Sequence, residues 1–222
     1  MSRFFAKSFL QFNDYWTGGG RNKNEFKNKH MAEGMIMDAQ QALAKLKEGN
    51  KRWVEGNLTA RDPAREREKR FGGQRPYAAV KYCGDSGVPV EYIFDAGVGE
   101  IFGGGRGAGN IVDTETLGSM EYAAGHLGTK LFVVMGHTKC GALTEACKTD
   151  RAHGNLDYIV KELQPAVRAG KGDVEASILE NVKLQVGKIR ARSPLLAEME
   201  KKGEIRILGA VYDIHTGVVK FL

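Results

Sequence analysis

Cys83, in Tyr82-Cys83-Gly84-Asp85-Ser86, and the pair His137 and Cys140, in Gly136-His137-Thr138-Lys139-Cys140, carry the most chemistry of any residues in the chain. Two thiolates and an imidazole are ligands suited to Zn²⁺, and they leave a tetrahedral ion one position short. An open fourth position is what separates catalytic from structural zinc. Asp85 is the nearby carboxylate placed to fill that position or to manage a proton on whatever does. Taken singly, these residues have ordinary alternatives, since a buried cysteine often behaves as a small apolar side chain. Cys147, further along the same expected helix as Cys140, has no ligand context and reads as a packed or free thiol.

The elements that must position these ligands are visible as apolar runs. Ala78–Tyr82 is a short β-prone run interrupted by a lysine, and residues 131–135 form a continuous apolar run bounded by Gly136. Both read as buried strands of a parallel sheet. Sites in such sheets gather beyond the carboxyl ends of the strands, so Cys83 meets His137 and Cys140 if the two strands are neighbours. A helix is expected to open just after Cys140, where its N-terminus favours thiolate. Helical spacing also marks residues 35–53, through Met35, Ala39, Ala42, Leu43 and Leu46, with an end at Gly49. Further helices are expected over residues 114–127, 155–168 and Val174–Arg192, and a closing strand and hairpin over 205–212 and 218–222. This order predicts an α/β fold with a central, mostly parallel sheet flanked by helices, an N-terminal helical arm and a late antiparallel edge strand. Residues 1–34 are expected to be an extension or arm, and residues 35–222 the zinc domain.

Composition narrows the function classes. The chain has 222 residues, is 42% hydrophobic and carries a net charge of +6, enough for one sizeable domain. Basic residues are interleaved with acidic ones, as between Arg61 and Arg70, so no nucleic-acid-binding patch is evident. No apolar run has the length of a membrane span. Three cysteines, an odd number with no disulfide framework, point to a reducing compartment and a cytoplasmic location. Residues 1–30 are basic and aromatic without a secretory h-region; an arm packed on a second subunit and an organelle-targeting or flexible extension are both open. The glycines from Gly103 to Gly109 lack the context of a dinucleotide fingerprint or a Walker loop.

These features resemble the β-class carbonic anhydrases. That family's Cys-x-Asp-Ser-Arg after one strand and His-x-x-Cys after another are matched by Cys83, Asp85, Ser86, His137 and Cys140, all but the arginine. The likeness extends to residues 46–53, Gly73-Gln74-Arg75-Pro76, Ile93-Phe94-Asp95, Arg106-Gly107-Ala108-Gly109-Asn110, Gly118-Ser119-Met120-Glu121-Tyr122 and residues 209–217. It implies Zn²⁺ held by Cys83, His137 and Cys140, and reversible hydration of carbon dioxide to bicarbonate. Asp85 is then the catalytic residue, accepting a hydrogen bond from the attacking hydroxide, and Gln74 binds substrate. The resemblance further implies a homodimer or higher homo-oligomer with the site at a subunit interface.

Two departures from the family pattern fall near the site. Gly87 replaces the arginine that, in relatives, pairs with the aspartate and holds it off the metal. Three outcomes follow. Asp85 can swing onto zinc as the fourth ligand and close the site, it can stay in place through main-chain N–H bonds, or the chemistry can shift toward hydrolysis of carbon disulfide or carbonyl sulfide. A catalytically silent zinc-binding subunit and a thiol redox protein with a Cys83–Cys140 disulfide are the readings from other classes. The second departure is Phe102-Gly103-Gly104-Gly105-Arg106, one residue longer than in relatives, for which a bulge or a locally disordered stretch is expected.

Overall fold

Two largely apolar runs, Ala78–Tyr82 (β1) and Leu131–His137 (β3), are buried at every position and lie side by side as parallel strands. They belong to a computed structural model that describes residues 36–222; the arm expected over 1–34 lies outside the described residues. The five-stranded sheet has the order β2-β1-β3-β4-β5. Strand β2 (Ile101–Arg106) pairs parallel with β1, and β4 (Arg206–Tyr212) parallel with β3. The last strand, β5 (Val219–Phe221), is antiparallel on β4, as the hairpin pattern predicts.

Helices cover both faces because alternate side chains of each central strand point opposite ways. On one face Val80, Tyr82, Leu131, Val133 and Met135 pack against α1 (Ala39–Val54) and the short α3 (Val90–Ile93). On the other, Ala79, Phe132 and Val134 meet α4 (Thr114–His126), α7 (Val174–Arg192) and α8 (Pro194–Lys201). The exposed α2 (Pro63–Glu68) follows α1, while α5 (Gly141–Lys148) and α6 (Leu156–Ala169) pack over the carboxyl ends of the strands, where a third apolar cluster includes Cys83 and Cys140. No helix among the described residues is long and apolar enough to cross a membrane.

The expected end of α1 at Gly49 is corrected. The helix runs on to Val54, and Gly49 serves a close approach instead: a Cβ there would stand 1.9 Å from the Phe94 carbonyl oxygen. The glycine run is an ordered strand with a bulge. Val80 pairs with Gly103 and Tyr82 with Arg106, so Gly104 and Gly105 together oppose the single residue Lys81. Lys81 is 4% exposed, and a Cβ on Gly105 would lie 3.1 Å from its Nζ. The missing side chain at Gly105 therefore makes room for a buried lysine. Strand β2 and helices α3 and α8 were not expected from periodicity. The first is masked by its glycines and the second is barely one turn. Helix α8 carries an explicit start in its Ser193 cap and Pro194, a signal its short apolar pattern obscures.

Candidate metal centre

Register brings the ligands together. Tyr82 pairs with Met135, so Cys83 comes level with Gly136 just as β3 delivers His137. The chain then reverses through Lys139, whose φ of 56° is left-handed, and Cys140 becomes the N-cap of α5. The two sulfurs stand 4.0 Å apart, and the ligand atoms of Cys83, His137 and Cys140 all lie within 4.8 Å of one another. All three residues are buried, and all three cysteines of the chain are free thiols. Tetrahedral zinc with bonds of about 2.3 Å to sulfur would set two thiolates about 3.8 Å apart, close to the observed spacing.

The imidazole is oriented for ligation. His137 Nδ1 lies 3.0 Å from the Thr138 carbonyl oxygen, to which it donates when it carries the proton, leaving the Nε2 lone pair for the cluster. Nε2 is buried with no hydrogen-bond partner. An unmet buried nitrogen costs on the order of 1–3 kcal/mol, which a cation bound to it would offset. The donor set and the orphaned nitrogen together fit a zinc ion.

The same crowding couples the ionisations. Hydrogen bonding from Cys140 holds the Cys83 thiol well below the ordinary range, against the burial that opposes its charge. Cys140 is pushed far up, first by the Cys83 thiolate and then by burial, and the N–H groups of α5 are too weak to reverse this. The expected lowering of the Cys140 pKa by its helix N-terminus is thus overridden by its neighbour. Burial disfavours charge on His137, yet the Cys83 thiolate outweighs it and raises the imidazole. Three groups competing for protons in one buried spot are arranged to exchange them for a divalent cation.

Asp85 stands outside this group, with Oδ1 accepting the Gly87 N–H at 2.8 Å. The main chain of Gly87 thus holds one oxygen of the Asp85 carboxylate. Arg106 does not replace the lost guanidinium, because its Nη2 donates to the Asp85 carbonyl oxygen at 3.3 Å and not to the carboxylate. A Cβ on Gly87 would lie 2.7 Å from Ile214 Cδ1 and 3.2 Å from Asp85 Oδ1. Ile214 therefore occupies the room a larger residue 87 needs. Sequence reasoning missed Ile214, whose only signal was its place in the matched segment 209–217.

Gln74 is exposed in the loop that enters β1, while Cys83 lies just past the other end of that strand. Five strand residues span about 16 Å, so the structure does not bring Gln74 into the site of its own chain. Cys147 is half-buried with its sulfur 3.7 Å from Ser177 Oγ, a packed thiol as expected.

Comparison with known proteins agrees with this arrangement. The family model described as carbonic anhydrase matches residues 78–219, which include every residue of the cluster. Carbonic anhydrase 2 of Mycobacterium tuberculosis is 35% identical over 183 residues, covering 78% of this chain and 87% of that protein. Among solved structures, the Coccomyxa β-carbonic anhydrase in complex with acetazolamide superposes with a TM-score of 0.64 at 29% identity, over 81% of this chain and 86% of that one. A tetrameric β-carbonic anhydrase of Sordaria macrospora gives 0.62 at 29% identity, over 68% and 82%. With the ligand pattern, the parallel sheet that carries it and these likenesses in agreement, the chain belongs to the β-carbonic anhydrase family.

Proposed function

We propose that this protein is a zinc-dependent carbonic anhydrase that hydrates carbon dioxide reversibly to bicarbonate and a proton, with Cys83, His137 and Cys140 as the metal ligands. The observation that carries the reading is the buried cluster of two thiols and an unpartnered imidazole nitrogen, with the Asp85 carboxylate held by the Gly87 N–H outside it. Zinc, when bound, supplies a Lewis acid that lowers the pKa of water to about 7, making hydroxide available at neutral pH.

The chain's own groups do the rest. With Oδ1 engaged by Gly87, Asp85 is left with Oδ2 to accept a hydrogen bond from the attacking hydroxide and aim its lone pair. A main-chain N–H is a single neutral donor, weaker than a bidentate guanidinium, but it has no side-chain freedom to lose. Ile214 stands beside it as an apolar wall, suited to a small, linear, uncharged substrate such as carbon dioxide. Gln74 contacts substrate from a second copy of the chain, because it lies at the wrong end of β1 to serve its own site. The functional unit is accordingly a homo-oligomer, in keeping with the tetrameric relative of Sordaria macrospora.

Zinc content and activity measured together test this. The wild-type chain is expected to hold one zinc per chain and Cys83→Ser to hold little. Asp85→Asn is expected to keep its zinc and lose about 10²-fold or more in kcat for carbon dioxide hydration. A zinc-replete Asp85→Asn with wild-type kcat would remove Asp85 from the mechanism. Faster turnover of carbonyl sulfide or carbon disulfide than of carbon dioxide by the wild type would reassign the substrate.

A further inference from the structure

Helix α7 contributes no ligand, yet it braces the main chain beside all three. In its first turn Glu175 Oε1 accepts the N–H of Lys139 at 3.1 Å, the left-handed residue between His137 and Cys140. Ile178 and Val182 close over Gly136, where a Cβ would stand 2.7 Å from Val182 Cγ2, and His137 follows directly. On the same stretch of helix Asn181 Nδ2 donates to the Gly109 carbonyl oxygen at 2.8 Å, and Gln185 Oε1 accepts the Val112 N–H at 2.8 Å. Gln185 Nε2 donates to Asn181 Oδ1 at 3.0 Å, so each amide fixes the other's orientation.

Those bonds matter because of what Gly109 belongs to. Gly107 and the turn Ala108–Asn110 press against the loop of the first ligand. The Gly84 N–H donates to the Gly107 carbonyl oxygen at 3.1 Å, and the Gly107 N–H to the Tyr82 carbonyl oxygen at 3.4 Å. Gly109 and Asn110 are both left-handed, with φ of 74° and 45°, a conformation that needs outside support for a residue other than glycine. Asn181 and Gln185 are 0% and 1% exposed on a helix whose other buried residues are mostly apolar. Apolar side chains could fill this volume, whereas only a satisfied amide pair specifies where the turn sits.

We propose that Asn181, oriented by Gln185, is a positioning residue for the metal centre: it locks the turn at Gly109 against the Cys83 loop while the same helix packs Gly136 ahead of His137. This rests on the zinc-site reading above. The test uses full-length protein loaded with zinc or cobalt(II), comparing wild type, Asn181→Ala and Ile189→Ala. Ile189 lies on the same helix, is 0% exposed and packs into the cluster away from the metal centre, so its truncation controls for lost stability.

Asn181→Ala is expected to weaken zinc 10- to 100-fold in competition with a chelator, the range typical of groups that orient ligands. It is also expected to alter the thiolate-to-cobalt charge-transfer absorption. Ile189→Ala should lose as much Tm or more while keeping wild-type values for both. Wild-type zinc affinity and cobalt spectrum in Asn181→Ala would overturn the proposal, as would an equal weakening in Ile189→Ala. Should Asn181→Ala fail to fold, Gln185→Ala, which frees the Asn181 amide that Gln185 orients toward Gly109, is read by the same two criteria. A wild-type protein that takes up no zinc would overturn the zinc-site reading itself, an outcome distinct from loss of the Asn181 effect alone.

Discussion

Position 87 shows how one residue's chemistry depends on what stands opposite it. A glycine in the Asp-Ser-Arg motif reads, from sequence alone, as the loss of the group that restrains the carboxylate. In three dimensions its N–H holds Asp85 directly, and Ile214 fills the space beside it. Gly87→Arg is therefore not expected to restore a family-like site. The Cβ alone would meet Ile214 Cδ1 at 2.7 Å and Asp85 Oδ1 at 3.2 Å; because the tip of a half-buried isoleucine can turn aside, the cost falls at the low end of the usual overpacking range, about 1 kcal/mol. The single variant should melt below wild type with no gain in carbon dioxide hydration, and adding Ile214→Ala should recover most of the lost stability. Equal Tm values for Gly87→Arg and wild type would show that Ile214 yields freely. The three ligands were legible in the chain because each stands beside an apolar run, Cys83 just after β1 and His137 with Cys140 at the end of β3, and those strands are neighbours. Ile214 was not, because its contact with Gly87 joins loops far apart in sequence and no motif records which side chain fills a gap.

At the scale of elements, Asp95 ties together segments that carry no ligand but fix the helical face beneath β1. Its side chain is 1% exposed and left-handed in backbone (φ 44°), and it accepts hydrogen bonds from Arg52 of α1, from Arg61, and from the backbone and hydroxyl of Thr59. Burial opposes its charge, but the bonds from Arg61, Thr59 and Arg52 outweigh that and hold its carboxyl well below the usual range. Such a group stabilises the fold above the unfolded aspartate value of about 3.9, and the contribution is lost as pH falls from there toward the folded value. Asp95→Asn is expected to cost about 2–3 kcal/mol at neutral pH, less than a fully buried pair because both guanidinium groups are partly exposed. Denaturant titrations should show the gap between variant and wild type narrowing below about pH 4. A constant gap down to pH 2 would contradict the assignment. The strands β1, β3 and β4 could be read ahead of the structure because apolar continuity fixes them. The end of α1 could not, since Gly49 looks like a stop until Phe94 is seen lying against it.

For the whole molecule, the role proposed for Gln74 would join function to assembly. A substrate-binding glutamine that enters at the amino end of β1 must act on another copy's metal centre, or on none. Light scattering is expected to give a mass above the 24.3 kDa of one chain. Gln74→Ala and Cys83→Ser should each be weakly active alone, yet co-expressed mixtures should regain activity in sites that pair intact ligands with an intact Gln74. Mixtures no better than the average of the two variants would place Gln74 outside the site. The architecture of residues 36–222 was accessible from the order of strand and helix signals, but the sequence pattern says nothing of which copy a loop serves. Whether the assembled site turns over without the family arginine is tested most directly by stopped-flow hydration of carbon dioxide on zinc-loaded protein, from neutral to mildly alkaline pH. Hydration well above the buffer rate, lost on zinc removal and regained on zinc return, is the expected result; rates indistinguishable from buffer in a protein holding one zinc per chain would contradict it.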